Sequence, residues 1–292
     1  MNRFQPLVRS PLVVLGRFDH PPDEPHRDPR QEIAPGYAVS FVERGCFDLQ
    51  VGKRRWRLAP GMLFLTRPGL VYRCRHSQET PTDVCLSVGY TRNFAEEVQQ
   101  TAKPGSRRLP AVLPLTNRLA YLHLRLAQLA AANGAEALAT ETLAGELLAA
   151  VVAGSSAASD KLYKTQTLAW YAERVEATRH LLETQFAQPH SLASLAGAVG
   201  ISPFHFARVF RELTGTPPHR YLLNLRLSHA ADRLRQGAGV TDTCFAIGFN
   251  SLSHFTHLFR RRFGVPPSHL LHAPPTRKQQ ERTSGILPSR AH

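Results

Sequence analysis

At 292 residues, the chain is long enough for about two domains, each able to bury a hydrophobic core. Its formal net charge of +14 predicts a polyanionic partner, for which double-stranded DNA or another nucleic acid is the usual choice. No apolar run reaches the ~20 residues of a membrane-spanning helix, and the basic residues are spread over both halves, which argues against a membrane partner.

The first residues and the cysteines both predict a cytoplasmic protein. Pro6, Arg9 and Pro11 interrupt the N-terminal stretch, so it does not have the pattern of a secretory signal peptide. The four cysteines show no close pairing pattern, which suits a reducing compartment. With DNA as the partner, we expect the protein to be associated with the nucleoid.

The N-terminal half has the pattern of a β-rich domain followed by helices. Residues 1 to about 35 are rich in proline and charge, which predicts an irregular arm around one short strand at 12–15. Short β-forming runs then alternate with glycine and Pro-Gly turns, which predicts a sandwich or small barrel. The predicted strands are 37–42, 47–51, 56–58, 62–65, 71–75 and 84–88.

Two amphipathic helices are predicted between residues 116 and 152. Their apolar faces consist of Leu119, Leu122, Leu126 and Leu129, and of Leu138, Leu143, Leu147 and Val151. The simplest interpretation is that both faces pack on the β-domain. The small residues that follow indicate a flexible linker over 154–163, and the polar tail over 273–292 is predicted to be disordered.

Two copies of a helix-turn-helix pattern lie between Ser191 and Ser268, about 48 residues apart. In the first copy, a short helix capped by Ser191 ends at Gly200, and a second helix begins at Pro203. The apolar faces predicted for these two helices are Leu192, Leu195, Ala196 and Val199, then Phe206, Val209, Phe210 and Leu213. The segment 218–234 between the copies would be about 25 Å long as a helix, which suits two recognition helices one DNA turn apart.

The run GFNSLSHFTHLFRRRFGVPP, from Gly248 to Pro267, resembles the signature of the AraC family of bacterial transcription regulators. The spacing of its Gly-Phe, Ser-x-x-Phe and Gly-x-x-Pro elements is highly specific, and the resemblance covers about residues 171–271. Thr243 and Cys244 depart from it, because the family usually has a buried aliphatic residue and an alanine there. We therefore expect a slightly looser helix at that point.

The resemblance implies an α+β protein of two domains, with a cupin-like sensor domain at 1–153 and an all-α double helix-turn-helix domain at 164–272. It implies a DNA-binding transcription regulator that forms a homodimer, takes a small-molecule effector and contacts RNA polymerase. It also offers a second interpretation of the helices between 116 and 152, as a dimerisation face. A constitutive DNA-binding protein whose β-domain only dimerises remains an alternative.

The outward face of each recognition helix is where the family reads DNA bases. Carried over position by position, the implied base-reading residues are Phe204, Ala207, Arg208, Leu252, Ser253, Thr256 and His257. Arg208 is the strongest of these, because a guanidinium can donate to guanine O6 and N7 together. Surface solvation of Arg208 and local packing of Phe204 are the alternatives. The residues predicted to contact phosphates are Ser202, Arg211, Arg260, Arg261 and Arg262.

The N-terminal half resembles the cupin-like sensor domain more weakly, through Phe41-Val42-x-x-Gly45 and its two Pro-Gly turns. No His-x-His follows Gly45, and Tyr72 stands where metal-binding cupins have a histidine, so we expect neither a metal or cofactor nor an enzyme activity. The predicted effector pocket is lined by Phe41, Phe47, Phe64 and Tyr72.

Two groups of residues, one of histidine and cysteine and one of histidine alone, raise the question of a metal or thiol site. Cys74 and His76 share one face of a predicted strand, as do Asp83 and Cys85 in the next, so a sensor site there is the alternative to inert buried thiols. The other group is His219, His229, His254 and His257. It has no cysteine or carboxylate at ligand spacing, so we expect solvated or phosphate-facing histidines.

Overall fold

The computed structural model describes residues 4–20, 31–76, 82–102, 109–132, 137–154 and 161–271. The chain divides into two compact units, residues 1–172 and 173–292. Most of the predicted linker, 155–160, and the tail predicted to be disordered, 273–292, lie outside the described residues.

The first unit is a β-sandwich, in agreement with the predicted fold class. Its larger antiparallel sheet has the order β1-β2-β9-β4-β7-β10, and the smaller has the order β3-β8-β5-β6. The strands are β1 Phe4–Arg9, β2 Val13–His20, β3 Glu32–Ile33, β4 Tyr37–Gly45, β5 Phe47–Val51, β6 Arg54–Leu58, β7 Met62–Thr66, β8 Val71–Arg75, β9 Asp83–Tyr90 and β10 Val112–Pro114. Apolar residues of both sheets and of the adjoining turns form one core, which contains Ala34, Val42, Phe47, Leu49, Leu58, Phe64, Leu70 and Cys85.

The strand predicted at 12–15 is confirmed from Val13 on, as the first part of β2, but the prediction of an irregular arm is wrong for residues 4–9 and 16–20. These residues belong to β1 and β2, and β2 pairs with β9 along its whole length, from Val13 opposite Tyr90 to His20 opposite Asp83. The proline at position 6 is tolerated because β1 is an edge strand whose register shifts next to it. Residues 21–30, which hold most of the predicted arm's prolines, lie outside the described residues.

The helices that lie wholly within the described part of this unit are α1 Arg92–Ala102, α2 Asn117–Ala131 and α3 Ala137–Ala153. The predicted apolar faces of α2 and α3 are buried except at Leu129, which is half-buried, and Leu138, which is 72% exposed. Tyr90 of β9 donates a hydrogen bond to the carbonyl of Ala144 at 3.1 Å. These contacts favour the interpretation in which both helices pack on the β-domain.

The second unit is all-helical, as predicted. α4 Thr165–Thr184 runs across the division between the units, and the helices that follow are α5 Leu192–Ala198, α6 Pro203–Thr214, α7 Pro218–Arg235, α8 Val240–Ala246, α9 Leu252–Phe263 and α10 Ser268–Leu271. Leu192 is 41% exposed, so its predicted place on the buried face of α5 is wrong. Thr243 and Cys244 are fully buried, and α8 is as long as α5.

Among the described residues, no single helix is long and apolar enough to cross a membrane. The bent pair of α5 and α6 meets that test jointly, by length and composition only.

Candidate nucleic-acid interface

The helix α6 separates a buried face from an exposed one. Phe206, Val209, Phe210 and Leu213 are almost completely buried, which turns the opposite side of the helix outward. Phe204 on that side is 84% exposed, so its ring is not part of the core and the local-packing interpretation does not hold.

The remaining predicted contact residues of α6 lie on the same exposed side. Ser202 is the N-cap, without a side-chain capping bond, and is exposed, as are Arg208 and Arg211, while Ala207 is half-buried. A guanidinium nitrogen of Arg208 lies 3.5 Å from His205 Nδ1. Two arginines and an aromatic ring therefore project from one helix face that the described residues of this unit leave exposed.

The helix α9 repeats this arrangement. Phe255 and Phe259 are fully buried, while Leu252, Ser253, His257, Arg260 and Arg261 are exposed and Thr256 is half-buried. Ser251 caps the helix by accepting the His254 N–H at 3.3 Å. Each recognition helix has 12 residues and ends at a left-handed glycine, Gly215 or Gly264.

Arg262 departs from the predicted arrangement in one respect. It is exposed, but its guanidinium donates to Asn224 Oδ1 of α7 at 3.0 Å and lies 5.5 Å from the ring of Phe263. A contact with a DNA phosphate would have to compete with this internal bond. Arg260 and Arg261 are therefore the better candidates for phosphate contacts in α9.

The turns before α6 and α9 have the same backbone geometry. Ile201 N–H donates to the Ala196 carbonyl and Phe249 N–H to the Cys244 carbonyl, each at 3.1 Å. A glycine precedes each donor, Gly200 with φ +67° and Gly248 with φ +84°, a backbone region that favours glycine. The repeat recognised in the sequence is therefore a repeat of structure.

The helix α7 joins the two helix-turn-helix units rigidly. Its 18 residues span about 27 Å. Its Tyr221 packs on Phe210, accepts a hydrogen bond from Arg179 and donates one to Glu183, and burial raises the pKa of Tyr221 to about 12. Further along α7, four apolar residues belong to the same hydrophobic core as α8 and α9, the helices of the second helix-turn-helix. They are Leu227, Ala230, Ala231 and Leu234.

A cavity of about 760 Å³ lies between the two sheets of the first unit. Most of its lining is apolar or aromatic, and the predicted pocket residues Phe47, Phe64 and Tyr72 line it. Phe41 does not: its ring stacks on His123 of α2, with the ring centroids 4.6 Å apart. Adjacent residues of a strand point to opposite faces, so Ser40 reaches this intersheet cavity and Phe41 the helix side.

Several polar side chains of the intersheet cavity are hydrogen-bonded to one another. Asp83 contacts His76 Nε2 through Oδ1 at 2.5 Å and accepts from the Cys85 thiol through Oδ2 at 3.2 Å. Tyr72 donates to Glu32 at 2.8 Å. Burial is the largest cause that raises the pKa values of the Tyr72 hydroxyl and of the Cys85 thiol, so both groups stay protonated at neutral pH.

Comparison with known proteins places both halves of the chain. A family model described as an AraC-binding-like domain matches residues 10–155, which is 146 of the 292 residues, or half of the chain. The chain belongs to the AraC family. A second model, described as a helix-turn-helix domain, matches residues 195–273, the region of the two repeated units. The chain thus combines an AraC-binding-like N-terminal domain with a C-terminal helix-turn-helix domain.

The curated relatives match about a third of this AraC-family chain. A transcriptional regulator named GlxA from Rhizobium meliloti is 34% identical over 90 residues, 30% of this chain and 28% of the relative. The transcriptional activator RhaS of Escherichia coli is 36% identical over 97 residues, 33% of this chain and 35% of the relative. The chain thus matches about a third of the length of these relatives.

A solved structure of an AraC-type regulator from Chromobacterium violaceum is 30% identical. It covers 37% of this chain and 98% of its own, with a TM-score of 0.34.

The structure does not support a metal site at either of the two residue groups for which the sequence left one open. Within the described residues, no three His, Cys, Asp or Glu side chains are grouped so that they could hold a metal ion. His229 stacks on Phe186, with ring centroids 4.0 Å apart, and His254 packs edge-on against Phe249.

Two residues that shape these sites were not predicted from the sequence, Arg226 and Glu32. Arg226 binds three backbone carbonyls around the second turn, and a polar residue on the inward side of an otherwise amphipathic α7 is the signal that could have found it. Glu32 lies at the cavity because β3 pairs with β8. The first residue of β8, Val71, comes 38 residues after Ile33, the last residue of β3. No local sequence pattern predicts the pairing of β3 with β8.

Proposed function

We propose that this AraC-family protein is a sequence-specific, duplex-DNA-binding transcription regulator that works as a homodimer under the control of a small molecule. Its base-reading residues would be Phe204, Ala207 and Arg208 in α6, with Leu252, Ser253, Thr256 and His257 in α9. Its phosphate contacts would come from Ser202, Arg211, Arg260 and Arg261, with Arg262 contributing only when its bond to Asn224 opens. It would act in the cytoplasm, where the chromosomal DNA lies.

The observation that carries the proposal is the pair of equivalent recognition helices. Each presents polar or basic side chains on a face that the core of its unit leaves exposed, and the same turn geometry sets both. An α-helix fits the major groove of B-DNA, and two helices on one rigid strut fit two successive grooves on one side of the duplex. The net charge of +14 supplies the attraction to the phosphates.

The two helices would contribute unequally. Arg208 brings a bidentate donor to the middle of α6, where α9 has His257 in the equivalent outward position. Bidentate arginine–guanine contacts discriminate more strongly than single hydrogen bonds from serine, threonine or histidine. We therefore propose that α6 supplies most of the base-specific free energy.

The N-terminal domain would sense and not catalyse. Its intersheet cavity is large enough for a small organic molecule and mostly apolar, which is usual for ligand sites. A ligand that binds two arrangements of the domain with different affinities shifts the population between them, and so can alter DNA binding. Contact with RNA polymerase belongs to the same proposal, as the route to activation.

Selection of binding sites from a random duplex library, with the full chain, tests the DNA-binding proposal. We expect one enriched motif whose two half-sites lie about 10.5 base pairs apart, centre to centre. The double variant Arg208→Ala, His257→Ala should lose the motif, whereas Arg233→Ala, on an exposed position of α7, should keep it. Failure of the full chain to enrich any sequence would contradict the proposal, and sedimentation of the chain alone and on its site tests the dimer.

A further inference from the structure

The charges that line the intersheet cavity have the opposite sign to the chain as a whole. The protein has a net charge of +14, yet the described residues around the cavity include no lysine and no arginine. Their ionisable side chains are Glu32, Tyr37, Tyr72, Cys74, His76, Asp83, Cys85 and Tyr90. The basic residues of β8, Arg73 and Arg75, are exposed on its other face.

The acidic groups of the described lining outnumber its one possible cation, His76. Burial raises the pKa values of the two cavity thiols and of Tyr72 and Tyr90, so these groups are neutral. Glu32 and Asp83 are the carboxylates of the described lining, and neither lysine nor arginine lines the cavity to balance them. His76 contacts Asp83, so Glu32 is the carboxylate that no histidine or thiol of the cavity contacts in the described structure.

The two carboxylates occupy different depths. Asp83 and His76 have side chains only 2% and 3% exposed, and Asp83 uses one oxygen for His76 and the other for Cys85. Glu32 lines the cavity but is exposed, which places it at the mouth, and it receives the Tyr72 hydroxyl at 2.8 Å. An ionised carboxylate has about four acceptor positions, so Glu32 keeps capacity for a donor from a ligand.

Aromatic rings surround the same space. Phe64 meets Tyr72 edge-on with their centroids 5.2 Å apart, and Phe47 lies 5.8 Å from the His76 ring. The negative face of such a ring attracts a cation, and its apolar area is released from water when a second ring packs on it. An anion that entered would lose its hydration without a cationic partner, which is costly in a mostly apolar site.

We propose that the intersheet cavity takes an aromatic organic cation, with its ring against Phe47 and Phe64 and its positive group on Glu32 beside Tyr72. This inference deepens the proposed sensing function and rests on it. The distant positive charge of the chain does not oppose it strongly, because charges more than about 8–10 Å apart are largely screened at physiological ionic strength. At contact distance the carboxylate determines the preference.

Three matched sets of probes test the charge preference without any assumption about the natural effector. Each set holds one ring system and varies the head group: benzylamine, benzyl alcohol and benzoate; 1-naphthylmethylamine, 1-naphthalenemethanol and 1-naphthoate; and the corresponding 4-biphenyl compounds. Titration calorimetry with the full chain measures binding directly. In at least one set we expect the amine to bind at least tenfold more tightly than the acid, with the alcohol between them.

Two variants connect that preference to Glu32. Glu32→Gln keeps the hydrogen-bonding shape of an exposed residue and should reduce the amine-to-acid ratio to within about threefold of unity. Asp48→Asn removes an exposed carboxylate from β5 that does not line the cavity, and should leave the ratio unchanged. Equal or tighter binding of the acid, no binding of any probe at millimolar concentration, or a ratio unaffected by Glu32→Gln would overturn the proposal.

A separate measurement distinguishes this inference from the proposed function. Binding of the selected DNA site by Glu32→Gln, measured without any probe, reports DNA recognition alone. Intact DNA binding together with a preference for the acid would refute the proposal that the cavity takes a cation. The proposal that the protein regulates transcription would be unaffected. If the unmodified chain did not bind any DNA site, the proposed regulatory function would be refuted, whatever affinities the probes show for the cavity.

Discussion

Arg226 of α7 and Gly248, in the turn before α9, are joined by a hydrogen bond of 3.0 Å from the guanidinium to the glycine carbonyl. The same guanidinium donates to the carbonyls of Phe186 at 2.7 Å and Gln188 at 2.9 Å. One side chain of α7 thus hydrogen-bonds both the segment after α4 and the turn of the second helix-turn-helix. Because α7 connects the two helix-turn-helix motifs, this side chain holds that turn against the connecting helix. The orientation of α9 depends on this clamp.

Gly248→Ala should destabilise the protein more than the equivalent Gly200→Ala. Both glycines have positive φ, so each substitution costs about 1 kcal/mol in backbone strain. At Gly248 the added Cβ would also lie 2.3 Å from the Ala187 carbonyl oxygen, whereas at Gly200 it would meet nothing within 4 Å. Denaturant unfolding should show the difference, and equal losses for the two variants would mean that the close packing at Gly248 relaxes freely.

Arg226→Lys should weaken the clamp, because an ammonium group cannot reproduce the planar fork that reaches three carbonyls. We expect a loss of about 1–3 kcal/mol in the free energy of unfolding, because the part-buried carbonyls of Phe186 and Gly248 lose their donors. Arg220→Lys, on an exposed position of the same helix, is the matched control and should be neutral. Wild-type stability of Arg226→Lys would show that one donor is sufficient.

Arg208→Ala and Arg261→Ala should differ in kind. The first should cost about 1–3 kcal/mol on the selected site and relax the preference at one guanine. The second should weaken binding to all sequences alike and reduce the salt dependence by about one counterion. Titrations on cognate and scrambled duplexes at several salt concentrations separate the two effects, and identical behaviour of both variants would remove Arg208 from the base-reading set.

Thr243→Val should stabilise the protein. The Thr243 hydroxyl is buried without a hydrogen-bond partner among the described residues, and valine replaces it with a methyl group of the same shape. Removing an unsatisfied buried polar group should raise the free energy of unfolding by about 1 kcal/mol. Thr241→Val, two residues earlier on the exposed side of α8, should change it little, and a destabilised Thr243→Val would point to a partner for the hydroxyl.

Glu43→Gln should lower stability at neutral pH and flatten its dependence in acid. The His123 hydrogen bond, together with Arg17, holds the pKa of Glu43 below its ordinary value of 4.5. The unfolded chain therefore binds this proton first, so the contribution is present above about pH 4.5 and is lost as the pH falls through the lower folded value. Because Arg17 is 45% exposed, we expect at most about 1 kcal/mol, measured by urea unfolding between pH 3 and 7.

Glu97→Gln, on an exposed position of α1, is the control for that series and should leave the acid dependence unchanged. A Glu43→Gln profile that runs parallel to the parent at all pH values would contradict the assignment of this acid dependence to Glu43.

The sequence by itself determined the helical domain, because its signals are local. Capping serines, the prolines and glycines that bound helices, and apolar residues at helical spacing act within a few residues of one another, so α6 and α9 and their outward faces follow from the pattern. A sequence of β-forming runs and turns likewise predicted the strands between Tyr37 and Tyr90.

Only the tertiary structure decided what the strands enclose. Pairing of β2 with β9 placed in the larger sheet residues that the sequence pattern predicts as part of an irregular arm. Strand alternation placed Phe41 against α2 instead of in the cavity. The meeting of Glu32 with Tyr72 joins residues 40 positions apart, and Arg226 reaches Phe186 over the same separation. Such contacts depend on sheet register and on the packing of distant elements, because neither is encoded in the spacing of neighbouring residues.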